Sequence, residues 1–102
     1  REIKANLKLM DVIFLLIDIR HEPTDRDRIM YDWIAHYGFQ PIIIATKLDK
    51  IKRSQLNKQT NLIRRKLGMT MEDIIIPFSA KSKQGRDEIW KLIRHVMNEK
   101  KS

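Results

Sequence analysis

The chain of 102 residues contains no cysteine, and it contains only three glycines and three prolines. The absence of cysteine excludes a disulfide framework and every metal site that uses thiolate ligands. The longest continuous apolar run, residues 12–17, is far shorter than the roughly 20 residues that a membrane-spanning helix needs. The opening residues 1–10 mix charged and apolar side chains, unlike a secretory signal peptide. We therefore expect a soluble, cytoplasmic protein that does not enter a membrane.

Acidic residues are outnumbered by basic ones, 13 to 21, which gives a formal net charge of +8 at pH 7. Such a charge attracts anionic partners whatever the fold, and nucleic acid is foremost among them. The hydrophobic fraction of 42% is enough for one modest core. We expect one small domain, or part of a larger one.

Short apolar segments alternate with amphipathic segments of helical period along the chain. The apolar segments, residues 11–18, 41–45 and 73–78, are continuous, as strands covered on both faces are. Pro77 is expected at the end of its strand, where no backbone donor is needed. The pattern predicts an α/β fold of three layers, with a parallel sheet and right-handed βαβ crossovers.

Each predicted helix carries signals at its ends. Thr24 is expected to cap the first helix, and Gly38 is expected to end it. The second helix is predicted over residues 54–67, before Gly68, and the third helix follows Gly85. Tryptophans 33 and 90 are expected to pack against the core, with a partly exposed anchor as the alternative. The predicted core-facing residues are Ile29, Met30, Trp33, Ile34 and Tyr37, then Leu56, Ile63 and Leu67, then Ile89, Leu92, Ile93, Val96 and Met97.

The start of the chain suggests an incomplete sheet. Ile3, Leu7 and Met10 recur at helical spacing without a capping residue before them. The first predicted strand is apolar enough to lie between two neighbours, although a sheet of three strands leaves it at an edge. We therefore expect strands N-terminal to Arg1 to be missing, and we expect the edge Val12–Asp18 to pair with a second copy of the chain.

Polar residues follow the second and third apolar segments, at ends that a parallel sheet brings to one edge. These ends are Thr46–Asp49, TKLD, and Ser79–Lys81, SAK. The carboxylate of Asp49 only accepts hydrogen bonds, and guanine offers it two adjacent donors, whereas adenine presents an acceptor. Lys47 can lay its methylene stem along a base. Ser79 can brace the loop, and the amides after it can donate to the guanine carbonyl. The alternative is an ordinary polar loop.

TKLD and SAK resemble the guanine-specificity loop and the SAK loop of the P-loop GTPases. The stretch DIRHEPTDRD at residues 18–27, with TKLDK and with SQLNKQ at 54–59, resembles more narrowly the EngB/YsxC family of Era-like bacterial GTPases. The resemblance covers essentially the whole chain. It implies the C-terminal half of a Ras-like domain that binds GTP or GDP. It also implies a role in assembly of the large ribosomal subunit, with a link to cell division and septation.

The resemblance also implies a role for each residue of the two loops. Asp49 would bind the guanine N1–H and amino group, Lys47 would pack over the base, and the Ala80 amide would meet the carbonyl oxygen. Lys81 would support the loop or the base from its edge. Thr46 stands where most of these GTPases have Asn, and it offers only a hydroxyl for the tie to the phosphate-binding loop. The implied nucleotide-binding residues are Thr46, Lys47, Leu48, Asp49, Ser79, Ala80 and Lys81.

The sequence departs from this family in what it lacks. Its glycines, at positions 38, 68 and 85, form no GxxxxGK[ST] pattern to wrap phosphates. The switch threonine and the DxxG loop that position Mg²⁺ and water are also missing. We therefore predict no catalytic residue and no metal ligand in this chain, which alone should not hydrolyse GTP. Asp18 is predicted to bond nearby amides, and His21 is predicted to be a turn residue rather than a metal ligand.

Basic residues crowd the second predicted helix and its entry. We expect them to contact rRNA phosphates on the ribosome, and a solvated helix face is the alternative. Two other functions remain open. One is a non-enzymatic, basic RNA-binding or scaffold α/β module; the other is a flavodoxin-like receiver, which is disfavoured because its acidic cluster is missing. The predicted RNA-binding residues are Lys50, Lys52, Arg53, Lys58, Arg64 and Arg65, with Lys66 beside them.

Overall fold

The computed structural model describes residues 12–101, and within this range it describes only the backbone at Val96 and at residues 98–101. The helical spacing predicted for Ile3, Leu7 and Met10 lies outside the described residues, as does the core position predicted for Val96. Strands and helices alternate as predicted. Their bounds are β1 (Val12–Asp18), α1 (Asp25–His36), β2 (Gln40–Thr46), α2 (Leu56–Leu67), β3 (Ile75–Pro77) and α3 (Arg86–Lys101).

The strands form one parallel sheet in the order β1-β2-β3. Asp18 is paired with Thr46 at the carboxyl end, and Ala45 is paired with Pro77. The predicted α/β fold is therefore confirmed, and Pro77 ends its strand as expected. The third strand is shorter than the predicted segment 73–78, because only Ile75–Pro77 pairs with β2. This register places the polar ends of all three strands at one edge.

The core lies on both faces of the central strand, since side chains of a strand alternate between its faces. Ile43 and Ala45 pack on one face with residues of α1 and α2, whereas Ile42 and Ile44 pack on the other face with residues of α3. Positions 41–45 are all buried. A strand covered on both faces must be apolar throughout, which explains the continuous run PIIIA.

Strand β1 lies at an edge of the described sheet, where it pairs with β2 alone. Most of its side chains are only half-buried, and Leu16 is 64% exposed. Its burial is much lower than that of β2, although its sequence is equally apolar. The predicted pairing of this edge with a second copy stays a prediction.

Helix α1 begins at the predicted cap. The Asp27 amide donates to Thr24 Oγ1 at 3.2 Å, and the Thr24 amide donates to Asp27 Oδ2 at 3.0 Å, which forms a reciprocal capping box. Gly38 follows the helix with φ 87°, in the left-handed region that favours glycine. Both predicted ends of this helix are confirmed.

The predicted core stripe of α1 is wrong for most of its residues. Ile34 is buried as predicted. The other buried residue of the helix is Tyr31, which lies outside the predicted stripe, and the remaining residues of that stripe face solvent. The tryptophan and tyrosine of that outer stripe contact each other, with ring centroids 4.7 Å apart. Helical spacing shows which residues share one side of the helix, but only the packing decides which side meets the sheet. The exposed residues of the predicted stripe are Ile29, Met30, Trp33 and Tyr37.

The predicted inner faces of α2 and α3 are largely correct. Ile63 and Leu67 are buried, and Leu56 packs against the same cluster. In α3, Ile89 and Leu92 pack against the sheet, whereas Met97 is exposed, contrary to prediction. Trp90 is half-exposed, so its alternative interpretation as an exposed anchor is the better one. Helix α2 starts later than predicted, because residues 53–55 form a separate 3₁₀ turn.

Candidate functional site

The loops after β2 and β3 meet at the carboxyl edge of the sheet. The Phe78 amide donates to Ala45 O at 2.8 Å, and the Leu48 amide donates back to Phe78 O at 3.1 Å. These bonds hold the TKLD and SAK segments side by side, as the sequence predicts. The two segments enclose an open groove of about 410 Å³. The groove is lined by Leu16, Thr46, Lys47, Asp49, Lys50, Phe78, Ala80 and Lys81.

The TKLD loop turns sharply after Thr46. Lys47 has φ 66°, a left-handed conformation that is uncommon for a non-glycine residue. A 3₁₀ turn follows, in which the Lys50 amide donates to Lys47 O at 2.9 Å. Leu48 does not line the groove, because its side chain packs against the core. Lys47 and Asp49 therefore lie on either side of the partly buried Leu48, and both line the groove.

A buried serine holds the Asp49 carboxylate. Ser79 is fully buried, and its Oγ donates to Asp49 Oδ1 at 2.8 Å. The Ser82 amide in turn donates to Ser79 Oγ at 3.1 Å. The bond from Ser79 is the main cause that lowers the pKa of Asp49, so this carboxylate is ionised and oriented at neutral pH. Ser79 thus braces Asp49 from beneath the groove, and the Asp49 carboxylate oxygens retain acceptor capacity.

The SAK turn depends on a glycine that sequence reasoning assigned only to the start of a helix. Gly85 has φ 88°, and a Cβ at this position would lie 2.1 Å from Pro77 O. Backbone that approaches this closely leaves no room for any side chain. The Ser79 amide also donates to Gln84 O at 3.0 Å, which closes the turn. Gly85 therefore belongs to the architecture of the site, and its position directly before a helix was the available signal.

The carboxyl end of β1 carries a local ion pair next to this site. Arg20 donates to both carboxylate oxygens of Asp18, from Nε at 3.0 Å and from Nη2 at 2.7 Å. The Arg20 amide also donates to Asp18 Oδ1 at 2.9 Å, so the predicted bond from Asp18 to a nearby amide is confirmed. These contacts lower the pKa of Asp18 from 3.8 to about 2. Sequence reasoning missed Arg20, which gave no signal beyond its place in DIRHEPTDRD.

Thr46 makes contacts toward β1. Its Oγ1 donates to Ile17 O at 3.3 Å, and its carbonyl oxygen accepts from the Ile19 amide at 2.9 Å. The carbonyl of Ile19 accepts from Gln59 Nε2 on α2 at 2.7 Å. The hydroxyl that replaces the usual Asn amide is therefore used within the sheet. The role of Gln59 was missed, since its partner is distant in sequence.

Relatives of the chain share one name. A probable GTP-binding protein EngB from Lachnospira eligens is 62% identical over 81 residues, which are 79% of this chain and 38% of that protein. One from Clostridioides difficile is 48% identical over 87 residues, 85% of this chain and 43% of that protein. A crystal structure of a probable GTP-binding protein EngB superposes with a TM-score of 0.69 and 25% identity. This chain belongs to the EngB family.

No protein-family model matches the chain, so membership of the EngB family rests on these individual relatives and on the shared fold. The superposition covers 91% of this chain and 62% of the EngB crystal structure. The chain spans less than half the length of the curated EngB relatives described above, at 38% and 43%.

The basic residues predicted to bind RNA divide into two groups in this EngB chain. Most are exposed, whereas Arg64 is partly buried and its Nη1 donates to Thr70 O at 2.6 Å and to Asp73 O at 2.8 Å. Lys66 is likewise engaged, with its Nζ 2.6 Å from Asp25 Oδ1. Arg64 thus stabilises the turn between α2 and β3, and the RNA contacts predicted for these residues stay predictions. The exposed residues are Lys50, Lys52, Arg53, Lys58 and Arg65.

The side chains described here do not fit a magnesium site. Among the side chains that the structure describes, no three His, Asp or Glu residues come together in a group that could hold a metal ion. Mg²⁺ prefers carboxylates and phosphates as ligands, and the described side chains bring no such group of carboxylates together. Within the same part of the chain, no helix is long and apolar enough to cross a membrane.

Proposed function

We propose that this chain is the base-recognition part of a domain that binds GTP and GDP. The observation that carries this function is the Asp49 carboxylate, oriented by buried Ser79 and facing a groove that Lys47 also lines. Membership of the EngB family supports it, since those relatives are named as GTP-binding proteins. We further propose that the chain is the C-terminal part of this domain, and that other parts of it bind the phosphates and Mg²⁺.

In this function, Asp49 accepts hydrogen bonds from the guanine N1–H and from the exocyclic amino group. A carboxylate is selective here because adenine lacks this pair of donors. The Lys47 stem covers one face of the base, while Ala80 and Lys81 border the guanine carbonyl. Hydrolysis of GTP to GDP and phosphate belongs to the intact domain, because residues 12–101 supply neither a phosphate cradle nor a metal site.

The substitution Asp49→Asn in the full-length protein tests base recognition. Its amide places a donor against the guanine donors, so we expect affinity for GDP to fall by about 30-fold or more. Xanthine carries a carbonyl oxygen in place of the amino group, which suits the new amide donor. We therefore expect the preference to shift from GDP toward XDP. Competition against a fluorescent GDP analogue measures both affinities.

The variant Asp32→Asn provides a matched control, because it removes one carboxylate from the exposed side of α1. Its GDP affinity should equal that of the wild type. Equal affinity of wild type and Asp49→Asn for GDP, with no gain for XDP, would rule out Asp49 as the group that recognises guanine.

We also propose that the exposed basic side of α2 contacts rRNA of the large ribosomal subunit, in the bacterial cytoplasm. Lys58 and Arg65 lie on the same side of the helix, seven positions apart, and Lys52 and Arg53 precede it. These side chains are exposed, and the net charge of +8 favours an anionic partner. The same basic side is what a non-enzymatic RNA-binding module would use, so nucleotide binding separates the two functions.

Salt dependence tests the rRNA contact. The logarithm of the association constant of the full-length protein for purified large subunits should fall linearly with the logarithm of the salt concentration. The double variant Lys58→Gln/Arg65→Gln should reduce that slope by about 1.4 to 1.8, because each lost phosphate contact removes about 0.7 to 0.9. Lys91→Gln/Arg94→Gln removes the same charge from exposed positions of α3, on the opposite face of the sheet from α2, and should leave the slope near the wild-type value. A binding constant that does not change with salt would contradict the rRNA contact, and so would equal slopes for the two double variants.

A further inference from the structure

The backbone of Ile19 connects the two ends of the TKLD loop. This residue is fully buried in the turn that follows β1. Its amide donates to Thr46 O, the last residue of β2, at 2.9 Å. Its carbonyl accepts from Gln59 Nε2, in the second turn of α2, at 2.7 Å. Residues 47–55, which carry Lys47 and Asp49, lie between these two attachment points.

A loop is positioned by its ends, and here both ends are fastened to the same residue. At the first end, Thr46 Oγ1 adds a further bond to Ile17 O at 3.3 Å. At the second end, the described contact between α2 and the Ile19 carbonyl is the single hydrogen bond from Gln59. A buried carbonyl without a donor is unfavourable, so the start of α2 is held where the Gln59 amide reaches it.

We propose that Gln59 is a positioning residue for guanine recognition, which sets the place of the Asp49 carboxylate by fastening α2 to the turn after β1. Gln59 does not line the groove, so it acts through the loop rather than on the ligand. The side chain must supply an N–H donor at this length, which neither Met nor Glu can do. This role rests on the proposed function for the identity of the ligand, a guanine nucleotide. The hydrogen bond from Gln59 that positions the loop does not depend on that function.

A contact that only stabilised the fold would give a different result from a positioning contact. IDP lacks the exocyclic amino group that Asp49 is proposed to bind, so the ratio of GDP to IDP affinity reports the placement of this carboxylate. Loss of stability alone lowers the folded fraction and leaves that ratio unchanged. A displaced carboxylate lowers the ratio itself.

The first experiment compares Gln59→Met with Gln40→Met in the full-length protein. Both changes replace a partly buried glutamine by an apolar side chain of similar volume, but among the described residues Gln40 Nε2 hydrogen-bonds only Pro41 O, at 3.4 Å, where β2 begins. We expect Gln59→Met to reduce GDP affinity about fivefold to tenfold, the size of one lost hydrogen bond, and to lower the GDP to IDP ratio. Gln40→Met should change neither. An unchanged ratio in folded Gln59→Met, checked by circular dichroism, would overturn the positioning role.

The second experiment needs no nucleotide. Hydrogen exchange of backbone amides is measured by NMR in the same proteins. The amides of Lys50 and Ile51 donate within the loop, whereas the Ile43 amide donates to Ile74 O in the sheet. Gln59→Met should speed exchange of the two loop amides about tenfold and leave Ile43 unchanged. Equal acceleration at all three amides would show a general loss of stability and overturn the positioning role. A wild type without GDP preference would overturn the proposed function, while the exchange rates would still decide whether Gln59 positions the loop.

Discussion

At the scale of single residues, the carboxyl edge of the sheet is organised by short side chains that bond backbone and neighbouring polar groups. Ser79 holds Asp49, and Asp18 holds Arg20 together with its amide. In both pairs a hydrogen bond to the charged form favours ionisation, which is why both carboxyl groups have lowered pKa values. The negative charges of Asp18 and Asp49 at this edge are therefore stabilised by hydrogen bonds from Arg20 and Ser79.

The Asp18 pair predicts a specific dependence of stability on pH. Its pKa is about 2 in the folded chain against 3.8 for the ordinary group, so the pair contributes stability above pH 3.8. That contribution is lost as the pH falls from 3.8 toward 2. We expect Asp18→Asn to lower the melting temperature at pH 6, and we expect this difference to disappear near pH 2. Thermal unfolding followed by circular dichroism measures it.

Asp32→Asn again controls for the loss of one negative charge, at an exposed position on α1. A difference between wild type and Asp18→Asn that stayed constant from pH 6 to pH 2 would contradict the stabilising role of this ion pair.

At the scale of elements, helix ends and helix faces behave differently. The ends of α1 are specified by neighbours in sequence, Thr24 and Asp27 at one end and Gly38 at the other. Its buried face consists of Tyr31 and Ile34, of which Tyr31 packs in the cluster that covers one face of the sheet. Burial also raises the pKa of the Tyr31 hydroxyl to about 12. For α1, the prediction of the helix ends therefore succeeds where the prediction of the buried face fails.

The capping box provides a prediction at this scale. Thr24→Ala removes the acceptor for the Asp27 amide, and we expect the free energy of unfolding to fall by about 1 kcal/mol. Thr24→Ser keeps a hydroxyl acceptor and should retain most of this stability. Denaturant unfolding of each variant measures the difference.

A threonine inside a helix serves as the control for this prediction. Thr60 Oγ1 donates to Asn57 O within α2, a bond that adds little to a helix. Thr60→Ala should change the free energy of unfolding by no more than about 0.5 kcal/mol. If Thr24→Ala were equally neutral, the capping box would have no role in stability.

At the scale of the whole molecule, the sheet is fully covered only at its centre. Within the described residues, β2 has a neighbour on each side, whereas β1 has one and leaves its other edge without a partner. Leu16 is largely exposed on this strand, beside the groove. An apolar strand with an unpaired edge favours addition of another strand.

We therefore predict that the 102-residue chain self-associates in solution through the edge of β1. Sedimentation velocity should show an average mass that rises with concentration. Leu16→Lys places a charge on the exposed side chain and should shift the chain toward monomer, since charged residues on edge strands oppose pairing. Met71→Lys is the matched control, because Met71 is 79% exposed and lies outside the strands. A single monomeric boundary for the wild type at high concentration would contradict this prediction.

Much of the fold could be predicted because its signals are local. Continuous apolar runs identify strands covered on both faces, and glycine or threonine marks the helix ends. The TKLD and SAK segments could be placed together because parallel strands end at one edge, and the structure places them there. The bond from Gln59 to Ile19 O could not be predicted, because it joins positions 40 residues apart in sequence.

The sequence by itself determined the order of strands and helices, the two ends of α1, the basic charge and the residue types at the carboxyl edge. These follow from composition and from neighbours within a few positions. Only the tertiary structure decided which stripe of α1 is buried, that Leu48 packs inward, that Arg64 holds a turn and that Gln59 reaches Ile19. The physical reason is that burial and hydrogen bonding depend on which groups meet in space, and residues distant in sequence meet only when the chain has folded.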